Sequence, residues 1–220
     1  MPGTEITIPA ENLDLGGELC LSDKALGLVL FAHGSGSGRY SPRNQFVARV
    51  LREAGMGTLL FDLMTAAEEQ AEANTRHLRF DIQFLARRLV AATQWVLHEG
   101  PARDIKVGYF GSSTGAAAAL VAAAKLPDNV TVIVSRGGRP DLAGEALERV
   151  RASTLLIVGS KDIPVILLNE EAYSQLQCEK ALRIVPGATH LFEEPGALEN
   201  VARMASEWFA DHFEPMGKAR

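Results

Sequence analysis

The chain has 220 residues, 47% of them hydrophobic, and 22 Lys and Arg against 27 Asp and Glu give a formal net charge of -5. That length suits a single domain, residues 1–220, with an ordinary core that needs no metal or disulfide, and the lack of any basic run argues against nucleic acid as a partner. No apolar run reaches bilayer length, residues 1–12 show no signal-peptide pattern, and Cys20 and Cys178 match neither a metal knuckle nor a disulfide framework, so a cytoplasmic, reduced protein is expected.

In chain order, two short strands at 5–8 and 18–21 precede any helix and are expected to form an antiparallel edge. A strand at 27–33, a helix at 42–54 and a strand at 58–63 follow. Residues 64–77 are the least regular stretch; Glu68, Glu69 and Glu72 suit a solvated helix face better than a loop over a pocket. Helices are then predicted at 78–98, 113–126, 141–150, 169–176 and 197–212, and strands at 105–110, 130–135, 154–159 and 182–185. This alternation predicts a three-layer α/β fold, a mostly parallel eight-stranded sheet with helices on both faces. No repeat, linker or low-complexity segment interrupts it.

The chemistry is concentrated in Gly111-Ser112-Ser113-Thr114-Gly115, where an apolar strand meets an alanine-rich helix. A G-x-S-x-G at such a junction is the sequence form of a nucleophile elbow, a turn tight enough to need glycine on both sides of the central residue. Ser113 is therefore the candidate nucleophile. The helix that follows is apolar on every face, so it should be buried on every face.

A serine hydroxyl needs a neighbouring base, and the base needs a third group to hold its tautomer. Asp162 follows the strand at 154–159 and His190 follows the strand at 182–185, so both fall where catalytic groups gather in open parallel sheets. Asp141, after the preceding strand, is the rival acid. Backbone N–H groups of Thr114 and of Ser35, in His33-Gly34-Ser35-Gly36-Ser37-Gly38, are the expected donors to an oxyanion. His33 itself is better read as a packing and hydrogen-bonding residue than as a base. Arg136 and Arg139, and Arg39 and Arg43 flanking the glycine loop, sit at the same end of the sheet and are candidates for holding a substrate carboxylate or phosphate.

The same glycine loop admits a rival reading, because a strand, a glycine turn, a helix and a strand ending in Asp62 also describe a dinucleotide-binding unit. The glycines read G-x-G-x-G with Arg39 where that fingerprint requires a small residue. No Walker A sequence and no paired-histidine metal spacing is present.

Taken together, the His33-Gly34 loop, the elbow at Ser113, Asp162, and His190 in Gly187-Ala188-Thr189-His190-Leu191-Phe192 resemble the α/β-hydrolase superfamily, most closely its dienelactone-hydrolase-like branch. The resemblance covers nearly the whole chain. It implies a fold without a large cap domain, a Ser-His-Asp triad, no cofactor, and a small-molecule acyl substrate. Dienelactone hydrolases use a cysteine nucleophile, so Ser113 at that position implies serine-esterase chemistry. An oxidoreductase module and a non-catalytic interaction protein on the same fold are the alternatives; the substrate and the oligomeric state stay open.

Overall fold

Eight strands form one sheet in the order β1 (Thr4–Ala10), β2 (Leu13–Cys20), β4 (Gly57–Phe61), β3 (Leu28–Ala32), β5 (Val107–Ser112), β6 (Val130–Arg136), β7 (Ser153–Gly159), β8 (Lys180–Val185). The computed structural model describes residues 3–72, 75, 77–98, 102 and 105–213. β1 and β2 pair antiparallel, as does β2 with β4, while every pairing from β4 onward is parallel. The antiparallel edge therefore lies where the sequence puts it, and β2 is longer than the segment 18–21.

Every residue of β3, β4 and β5 is buried, because helices cover both faces of the parallel sheet and leave no face for polar side chains. On one face Leu30, Leu59, Tyr109, Ile133 and Leu156 pack with α3 (Ile82–His98) and α4 (Thr114–Lys125). On the other, Phe31, Phe110, Val134 and Ile157 pack with α1 (Pro42–Glu53) and α6 (Ala197–Phe213). The two faces account for the two hydrophobic clusters of the core.

Three helical stretches differ from expectation. The segment 78–98 is broken at Asp81, which leaves a one-turn 3-10 helix at Leu78–Phe80; the Asp81 carboxylate accepts the Phe84 N–H at 2.9 Å and so starts α3. Pro140–Arg149 is a kinked 3-10 run, because Gly144 takes φ 53 and ψ -134 in its middle. α5 (Ile163–Gln175) begins six residues earlier than 169, immediately after Asp162. Its opening Ile163-Pro164-Val165-Ile166-Leu167-Leu168 has no polar face, so no helical period marks it, and Ile163 and Leu167 are exposed.

Residues 64–72 are also more than a solvated face. Thr65 and Glu68 form a reciprocal capping box that starts the short helix α2 (Ala66–Ala71). Glu72 is buried and paired with Arg79, which holds its carboxyl below the usual carboxylate range.

Candidate active site

Ser113 is the single residue between the end of β5 and the start of α4, and it sits at φ 50, ψ -123. Such backbone costs a non-glycine residue about 1–3 kcal/mol and persists only where the surroundings enforce it. Here its N–H donates to Arg136 O at 3.4 Å, and its carbonyl accepts the N–H groups of Arg139 and Ala116, each at 3.1 Å. Gly115 lets α4 close onto the sheet, since a Cβ there would lie 2.1 Å from Ala32 O. A Cβ on Gly34 would lie 3.0 Å from Ser113 Cβ, so the loop after β3 passes directly beside the candidate nucleophile.

Thr114 opens α4, where backbone N–H groups have no partner within the helix. Ser35 lies beside it, but its N–H does not face open space: it donates to Thr114 Oγ1 at 3.1 Å. The hydroxyl next to Ser113 thus takes one of the two donors expected at an oxyanion. His33 behaves as a structural residue. Its Nδ1 donates to Gly34 O and its Nε2 accepts the Leu63 N–H, both at 3.0 Å, and burial pushes its pKa below 6.5.

Asp162 Oδ2 lies 2.6 Å from His190 Nδ1. That contact places the proton of a neutral imidazole on Nδ1 and leaves the Nε2 lone pair to act as a base. Among the described residues no hydrogen bond joins Nε2 to Ser113. The two loops that carry the pair are laced together: Gly187 N–H donates to Ser160 Oγ at 2.8 Å, and Lys161 N–H to Ala188 O at 2.9 Å. The rival acid is otherwise engaged, because Asp141 accepts two bonds from Arg139, at 2.8 and 2.7 Å.

Three further residues, Phe192, Glu194 and Asn169, shape the site without a sequence signal strong enough to find them. Phe192 is fully buried at φ 57 and pins the turn that presents His190. Glu194 accepts the Thr189 N–H at 3.1 Å. Asn169 on α5 donates to Gly138 O at 3.0 Å, tying down the loop after β6. Arg43, in the first turn of α1, lines a cleft of about 720 Å³ together with Gly36, Ser37, Tyr40, Met64 and Glu69. The segment 64–72 is therefore a cleft wall as well as a capped helix.

The candidate arginines separate. Arg139 is committed to Asp141, and Arg39 bridges Glu5 and Asp62, each at 3.3 Å, with its N–H on Asp62 Oδ1 at 2.8 Å. Each of these guanidiniums already has a carboxylate, and of the two Arg39 keeps a buried Nε without a partner. The Arg39 contacts also occupy Asp62, the acid on which the dinucleotide-binding alternative depends. Arg136 is different: it is 8% exposed, and its Nε and Nη1 have no partner. Burial and the nearby Arg43 push its pKa down to about 10.

Among the described residues no cluster of His, Cys, Asp and Glu could hold a metal ion, and no helix is long and apolar enough to cross a membrane. No protein-family profile matches the chain. Two curated proteins of Mycobacterium tuberculosis, provisionally named as phosphoribosyl transferases, are 52% identical over 209 residues, which is 95% of this chain and 46% of theirs. The chain thus spans about half the length of the curated relatives it matches. A lidless α/β serine hydrolase of Xanthomonas campestris shares the fold, with a TM-score of 0.73 at 21% identity over 99% of this chain and 98% of its own. The crystal structure of a dienelactone hydrolase from Anabaena variabilis superposes with a TM-score of 0.94 at 56% identity, over 97% of this chain and 100% of that one. With that identity across two whole chains, and with the sheet order and elbow described above, the chain belongs to the dienelactone-hydrolase-like branch of the α/β-hydrolase superfamily.

Proposed function

We propose that the protein is a serine hydrolase that cleaves small carboxylic esters or related acyl compounds through Ser113, His190 and Asp162. The observation that carries this reading is the enforced backbone of Ser113 at the head of α4, at the same sheet end as the 2.6 Å contact between His190 and Asp162. As Ser113 Oγ bonds to the acyl carbon, His190 Nε2 takes its proton and Asp162 stabilises the resulting imidazolium. The carbonyl oxygen becomes an oxyanion facing the N–H groups of Thr114 and Ser35. Collapse breaks the bond to the leaving group, which takes the proton from His190, and water repeats the sequence on the acyl-enzyme. Ser35 N–H has first to exchange Thr114 Oγ1 for that oxyanion.

The transferase name belongs to mycobacterial proteins of which this chain matches 46%, and the hydrolase reading does not rest on it. A reducing, cytoplasmic setting suits a chain with only two cysteines, Cys20 and Cys178. A fluorophosphonate probe should label Ser113, and Ser113→Ala should lose both labelling and p-nitrophenyl ester hydrolysis while keeping its circular dichroism spectrum. Labelling that persists in Ser113→Ala and disappears in Ser112→Ala would overturn the assignment.

A further inference from the structure

Arg136 is a buried cation without an anion. Its Nε and Nη1 have no hydrogen-bond partner, and among the described residues no carboxylate pairs with it. Its direction follows from the strand period: Val132 and Val134 belong to the cluster packed by α1 and α6, so Arg136, two residues on, points to that same face, where α1 begins. Arg43, in the first turn of α1, is near enough for its like charge to disfavour the protonated form of Arg136 further. Arg43 is held at one end by the exposed Glu193 at 3.0 Å, and its Nε is buried and also without a partner.

The start of α1 adds to the positive potential. Its first turn holds no acidic residue, and the Ser41 hydroxyl makes no capping bond, so the partial positive charge of the helix end is not offset from within. Around this end of the sheet Arg39, Arg79 and Arg139 each have a carboxylate, as Arg43 has in Glu193, so Arg136 stands apart from them. Arg43 also walls the cleft beside Ser37 and Tyr40, and Arg136 is one backbone hydrogen bond from Ser113.

We propose that Arg136, Arg43 and the amino end of α1 bind a phosphate group carried on the non-reacting part of the substrate. Arg136 Nε and Nη1 and Arg43 Nε are buried donor atoms without partners, a phosphate monoester offers three terminal oxygens to accept from them, and its dianion meets two guanidiniums of which Arg43 alone has a carboxylate, the exposed Glu193. The substrate class rests on the hydrolase reading above; the anion site itself does not.

Inorganic phosphate is titrated calorimetrically into the full chain at constant ionic strength, with acetate and chloride as controls, in wild type, Ser113→Ala, Arg43→Gln and Arg136→Leu. Stoichiometric phosphate binding in wild type and Ser113→Ala, weakened at least about tenfold in both arginine variants, is expected, since each loses charge-assisted bonds. Arg136→Leu removes a buried unpaired charge and so should stay folded, which its melting curve checks. In parallel, an aryl ester whose acyl chain ends in phosphate is compared with its dimethyl-phosphate counterpart. Wild type should favour the charged ester about tenfold through KM, and the ratio should fall toward unity within each arginine variant. Heats no different from chloride, acetate binding as tightly as phosphate, or an ester preference unchanged by both substitutions would overturn the proposal. Phosphate binding by Ser113→Ala keeps the site testable even if Ser113 proves not to be the nucleophile.

Discussion

Ser113 and its neighbours show how much depends on backbone that no side chain advertises. The serine is held in a strained conformation by bonds to Arg136, Arg139 and Ala116, so the loop after β6 serves as much to fix the candidate nucleophile's backbone as to wall the site. The acid assignment is testable at this scale. Loss of the orienting carboxylate lowers turnover by about 10⁴ in serine proteases, and a loss of that order is expected in kcat for Asp162→Asn. Asp141→Asn, which disturbs only the pair with Arg139, should retain most activity; the opposite pattern would reverse the roles. His33 makes a pH prediction. Burial holds its folded pKa below the 6.5 of the open chain, so the unfolded state takes up the proton first as pH falls. Its contribution to stability is complete above about pH 6.5 and is lost as pH drops through the folded value. Urea titrations between about pH 5 and 7 should show a steeper loss of stability in wild type than in His33→Gln; parallel slopes would contradict this.

At the scale of elements, α4 is legible because its alanine run leaves no polar face, and its burial from Thr114 to Ala123 is complete. Gly115→Val should place branched carbon atoms against Ala32 O and destabilise by at least about 1–3 kcal/mol, read as a lowered urea midpoint. Tyr109 ties β5 to α3: Thr93 Oγ1 donates to Leu89 O at 2.8 Å, so the Tyr109 hydroxyl donates to Thr93 Oγ1 at 2.6 Å. Tyr109→Phe should cost about 1 kcal/mol, since Thr93 keeps its own bond to Leu89; an unchanged midpoint would contradict that geometry. Buried strands and the polar-to-apolar rhythm of α6 were readable from composition and period. The early start of α5 was not, because Ile163 to Leu168 is apolar without a period. The 3-10 character of residues 140–149 was not either, because it turns on the backbone angle of Gly144. The site divides the same way. Ser113, Asp162 and His190 could be placed by their position after strands, whereas Arg39, Arg136 and Arg139 look alike in sequence and differ only in which of them finds a carboxylate across the fold.

Across the whole molecule, the parallel order β4-β3-β5-β6-β7-β8 brings the loops after β3, β5, β6, β7 and β8 to one edge of the sheet. Residues distant in sequence, Gly34, Ser113, Asp162 and His190, reach that edge because each follows a strand running the same way. The fold therefore brings the candidate nucleophile, base and acid to one sheet edge beside a charged cleft. The most direct test of the central claim is peptide-mapping mass spectrometry of the enzyme quenched during turnover of p-nitrophenyl acetate. The account predicts an acetyl adduct confined to the peptide carrying Ser113, accumulating with the burst of p-nitrophenol and absent from Ser113→Ala; sustained hydrolysis by Ser113→Ala, with no acyl-enzyme in either protein, would contradict it.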